Sequence, residues 1–144
     1  MRLQAHAWPI LIGVALVGAA NWLEHVTMPV VTDFTVVEMT RDADKLRMSG
    51  WMRKSRNCQF AGVTAEGATI SGAVSELPLS FRDASKDTAT RPTGTQSWGP
   101  WSVELPVVPD IRSVTLTSLH RCHPAWVTTT ELIKVPVPAR VEVK

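Results

Sequence analysis

Tyrosine is absent from this 144-residue chain, only two cysteines occur, and no methionine follows Met52. Each gap removes something. With no tyrosine two residues before the second cysteine and no Cys-Trp-Cys spacing, the hallmarks of a true antibody domain are missing. Without a late methionine, a copper site of the cupredoxin type lacks its usual axial ligand. Glycine-rich phosphate loops, a nucleophile elbow and internal repeats are lacking as well. So is charge of one sign: 15 basic residues face 13 acidic ones, and the nearest thing to a cluster is Arg53, Lys54 and Arg56. Three cations within one turn read as a solvated loop, so nucleic acid is not an expected partner.

What is present begins at the N-terminus. Arg2 precedes an apolar run from Trp8 to Leu23, and Glu24 closes it. Crossing a hydrocarbon core takes roughly 20 apolar residues, and the stretch from Ala5 to Leu23 just reaches that. A cleaved secretory signal would show the same charged start, with Gly18, Ala19 and Ala20 supplying a cut before Asn21. Trp8 and Trp22 flank the run as interfacial aromatics flank a spanning helix, which favours a retained anchor. Arg2 before the run and Glu24 after it orient the chain with its N-terminus in the cytoplasm. The reading is a single-pass inner-membrane protein, with residues 1–25 as anchor or signal peptide and 26–144 as an extracytoplasmic domain.

Beyond the leader, runs rich in β-favouring residues alternate with turn residues. Strands are predicted over 30–39, 46–53, 59–65, 77–81, 101–105, 111–121 and 127–135, with a long loop over 82–96 and a turn at Glu66-Gly67. The clearest signal is the alternation of Leu46, Met48, Gly50 and Met52 with Arg47, Ser49, Trp51 and Arg53. Short strands with no amphipathic helix between them predict an all-β, antiparallel β-sandwich, immunoglobulin-like or fibronectin-like, preceded by one transmembrane helix.

In an oxidising compartment the pair Cys58 and Cys122 reads first as a disulfide. The alternative is a metal site built from His120, Cys122 and His123, since thiolate and imidazole are ligands of zinc and copper. On an extended strand His120 and Cys122 face one side and His123 the other, so convergence needs a bend before Pro124. Ser97, His120 and Asp110 can be assembled on paper into a catalytic triad, but no local signature supports it. Glu66, Glu76, Asp83 and Asp87 lie in predicted loops with nothing fixing their separation. No enzymatic activity and no cofactor are expected, and a small-molecule ligand is not anticipated.

Residues 91–101 form the most peculiar local sequence. Gly94, Gly99 and two prolines impose a turn geometry that Trp98 and Trp101 bracket. Arg91, Trp98 and Trp101 are the residue types that dominate interface hot spots, which makes them the candidate protein-binding set. The competing reading is that the tryptophans cap the core, because they have much apolar area to bury.

The apolar leader, the Arg56 to Phe60 segment around Cys58, the Arg91 to Trp101 loop and the His120 to Trp126 segment together resemble small, uncharacterised membrane-anchored proteins of tailed bacteriophages and prophages of Gram-negative bacteria. The resemblance implies an inner-membrane protein with a periplasmic domain and carries no activity. Such proteins include lysis accessories and factors of superinfection exclusion. The expected partners are the membrane, through the N-terminal helix, and an envelope or phage protein.

Overall fold

The structure, a computed structural model, describes residues 7–42, 44–81, 91–107 and 110–138. One helix, α1 (Ala7–Thr27), precedes eight strands: β1 (Val31–Asp42), β2 (Lys45–Lys54), β3 (Gln59–Thr69), β4 (Val74–Leu77), β5 (Leu79–Phe81), β6 (Gly94–Glu104), β7 (Ile111–Arg121) and β8 (Thr128–Pro136). They form two four-stranded sheets, ordered β1-β2-β6-β5 and β4-β3-β7-β8, with every neighbouring pair antiparallel. Buried side chains from both sheets make a single core: Leu46, Met48, Trp98 and Val103 from the first meet Ala65, Val114, Leu116 and Val135 from the second. The arrangement is compatible with a sandwich.

Three local features differ from the sequence reading. The strand expected over 77–81 is two strands in different sheets, because Leu77 ends β4 beside β3 while Leu79 begins β5 beside β6. Pro78 sits at the switch. It has no N–H to continue a ladder, and its carbonyl accepts instead from the Glu104 amide at 2.9 Å. The turn expected at Glu66-Gly67 lies inside β3, whose pairing runs on to Thr69. Residues 94–100, expected as loop, belong to β6 and pair with β2 from Lys54↔Gly94 onward.

Gly50 shows why that last pairing is possible. A Cβ there would lie 1.9 Å from the Thr35 carbonyl oxygen. The bare backbone lets β1 come close, at a point where its register against β2 shifts twice. The Trp98 indole N–H occupies the same place and donates to the carbonyls of Thr35 and Trp51, each at 3.2 Å. Phe34 stacks on that indole at 4.4 Å.

The expected spanning helix is the main departure. Among the described residues no helix is long and apolar enough to cross a membrane. Pro9 at one end and Asn21, Glu24 and His25 at the other confine the uninterrupted apolar stretch to residues 10–20, short of the roughly 20 that a bilayer core requires. The side chains α1 presents, including Trp8, Ile10, Leu11, Leu16 and Trp22, are nevertheless well exposed.

Candidate functional site

Two core-facing rows of side chains begin apolar and end polar. Along β2 the buried positions are Leu46, Met48, Gly50, Met52 and then Lys54; along β7, after Ile111 at its start, they are Val114, Leu116, Ser118 and then His120. Period-2 geometry forces this, since each strand keeps the same face turned inward to its end. Lys54 is only 3 % exposed and His120 only 4 %. Between these strand ends lies a cavity of about 40 Å³, walled by Met52, Phe60, Val63, Phe81 and Trp101 and furnished with Lys54, Arg91, Ser118 and His120.

A ladder of aromatic contacts forms one side. His120 meets the Phe60 ring at 5.7 Å, Phe60 meets Phe81 edge-on at 6.1 Å, and Phe81 meets Trp101 at 6.4 Å. Trp101 in turn lies 4.7 Å from Trp98, deeper in the core. Edge-to-face rings at these spacings are mutually attractive, so the wall is ordered by its own contacts.

Electrostatically the cavity is basic. The Lys54 ammonium donates to the carbonyl oxygens of Cys58 at 3.0 Å and Arg91 at 2.7 Å. No carboxylate pairs with it among the described residues. Burial lowers the Lys54 pKa from its ordinary value, and the Arg91 charge lowers it further. Burial likewise lowers that of Arg91, whose guanidinium donates to Gln96 Oε1 at 3.3 Å and the Ser97 carbonyl at 2.8 Å. His120 is pushed down to about 4, first by burial and then by Lys54. It is therefore a neutral imidazole at pH 7. Its Nδ1 is buried without a hydrogen-bond partner.

The disulfide stands beside this cavity. Cys58 and Cys122, 64 residues apart in sequence, are bonded with their Cα atoms 4.6 Å apart. They continue β3 and β7 one step past the Gln59↔Arg121 pair. The bond therefore ties neighbouring strands of one sheet, not the two sheets of an antibody domain.

No protein-family model, curated protein or solved structure matches the chain.

Arg91 lines the cavity. Trp98 and Trp101 are 2 % and 4 % exposed, so the expected binding loop is corrected: their inward position on β6 makes them core, and they offer no surface to a partner. His120, Cys122 and His123 are not brought together. Cys122 is in the disulfide, His120 faces the cavity, and exposed His123 stacks on Trp126 at 3.8 Å. Among the described residues no cluster of three or more metal-ligating side chains occurs.

The paper triad fails on distance. Asp110 precedes β7 and pairs with Arg112 at 3.3 Å, whereas His120 lies ten residues further along an extended strand, roughly 30 Å away. Glu66 and Glu76, expected in loops, are cross-strand partners on β3 and β4, both exposed. Asp83 and Asp87 lie outside the described residues.

The sequence places Lys54 in a solvated basic loop, yet it is the buried cation of the cavity. The signal lay in the alternation itself. Extending Leu46, Met48, Gly50 and Met52 by one more step puts Lys54 on the inner face.

Proposed function

We propose that the chain is a binding module of the Gram-negative envelope. An immunoglobulin-like domain is delivered to the periplasm by its N-terminal helix, is held at the inner-membrane surface by that helix's exposed apolar side chains, and contacts an envelope or phage protein. The Cys58–Cys122 bond carries this reading, because a structural disulfide persists in an oxidising compartment and not in a reducing cytosol. The apolar side chains presented by α1 add support, since a helix surface with so little polarity is not that of an ordinary soluble domain.

The strand order supports the immunoglobulin-like assignment. The order β1-β2-β6-β5 corresponds to ABED of the constant-type sandwich and β3-β7-β8 to CFG, with β4 added beside β3. Because Trp98 and Trp101 are core residues, partner contact falls to the long edge strands β1 and β8, which can accept an added strand through their outer backbone groups. The likeness to phage-encoded membrane-anchored proteins favours a role in lysis or in superinfection exclusion.

The test is photo-crosslinking in intact Gram-negative cells, with the probe placed at Val37 on β1 or Glu131 on β8 of the full chain. A discrete adduct with an envelope or phage protein is expected. Adducts with cytosolic proteins alone would overturn the reading.

A further inference from the structure

We infer that the cavity between Lys54 and His120 is a binding site for a small carboxylate with a short apolar tail. The site needs only the folded domain and holds wherever the chain resides. Lys54 is buried, two of its three N–H groups are committed to carbonyl oxygens, and no carboxylate among the described residues pairs with it. A buried ammonium is stable only when its charge is answered, and two carbonyl dipoles answer it in part. The third N–H remains for a ligand.

His120 supplies a second, independent mark. Its Nδ1 is buried with no partner, on a ring that lines the same cavity. A neutral imidazole can donate one N–H to an incoming carboxylate oxygen while the remaining N–H of Lys54 takes the other.

Size and wall chemistry select the class. About 40 Å³ holds a few water-sized groups, enough for a carboxylate and the first carbons of its tail. Met52, Phe60, Phe81 and Trp101 suit an alkyl or small aromatic chain. Phe81 is 37 % exposed, so this wall of the cavity reaches the surface. A free acid and the C-terminus of a peptide share this chemistry.

The experiment is titration of the full chain in detergent with butyrate, with butyramide as the uncharged isostere, followed by NMR of the Phe60, Phe81 and His120 rings. An acetylated tripeptide ending in valine, with free or amidated carboxyl, forms the second arm. Saturable shifts of those rings are expected with butyrate and absent with butyramide. Saturation by the free-acid tripeptide as well would name a peptide terminus as a source, and its failure would name a free acid.

Lys54→Met should weaken butyrate by about tenfold or more, the usual loss when a hydrogen-bonded charge is removed. Equal responses to butyrate and butyramide, or none to either, would overturn the site in the unaltered protein, with no variant needed. So would binding that emerges only in an Asp83→Asn, Asp87→Asn variant, which would give the position to a carboxylate of the chain itself.

Discussion

The Lys54 ammonium lies 3.0 Å from the carbonyl oxygen of Cys58, so the half-cystine that staples β3 to β7 also supplies one of the two acceptors holding the buried cation. Stability and the basic cavity are thereby linked. Whatever loosens the bond loosens the seat of the charge.

Reduction, or replacement of both cysteines by alanine, should destabilise the domain by about 4 kcal/mol in the chain-entropy account for a loop of this length. Urea unfolding with and without reductant measures it. Midpoints that coincide would show the bond to be dispensable.

Gly50→Ala should be among the most damaging single changes. Its Cβ would meet the Thr35 carbonyl carbon and oxygen and crowd the Trp98 indole nitrogen, and backbone cannot step aside as a side-chain tip can. We expect a loss of about 3 kcal/mol. Gly72→Ala is the control: open space surrounds it, and only its φ of +83° opposes a side chain, which costs roughly 1 kcal/mol. Thermal unfolding ranks the two, and equal losses would refute the steric account.

Acidification should destabilise the fold through His120. Its folded pKa of about 4 lies below the ordinary 6.5, so between these values the unfolded chain binds more protons than the folded one. The contribution is complete above pH 6.5 and is lost as pH falls towards 4, to the extent of at most about 3 kcal/mol. His120→Gln should flatten that part of the stability profile. An imidazole titration near pH 6.5 for His120, read by NMR, would contradict the burial that produces the shift.

Glu76→Lys should stabilise. Glu66 and Glu76 face each other across β3 and β4, and like charges directly opposite are unfavourable in a sheet. Reversing one should raise stability by a few tenths of a kcal/mol, up to about 1 kcal/mol. The gain should shrink in high salt, because both side chains are exposed.

Much of this fold is legible in the chain and particular parts are not. The strand expected over 111–121 appears with those bounds as β7, because alternation and β-branched residues agree along it. The pairing of Cys58 with Cys122 is likewise legible, as an even pair of cysteines in a domain expected outside the cytoplasm. Gly94, Gly99 and Pro100 argued for a loop on local grounds, yet they lie in β6 because pairing with β2 and burial of Trp98 and Trp101 outweigh turn propensity. The cavity was hidden for a related reason. Lysine is ordinarily a surface residue, and only the inward row of β2 overrides that expectation. Pro78 falls inside a single strand expected over 77–81, and the change of sheet it marks is not legible locally because it depends on partners distant in sequence.

Thiol accounting in the cell tests the central claim, a disulfide-stapled domain outside the cytoplasm, most directly. The full chain is produced in a Gram-negative host, alkylated with N-ethylmaleimide at lysis and analysed by mass spectrometry. The account predicts no alkylation at Cys58 or Cys122 and a linked peptide pair joining them; alkylation of both would contradict it.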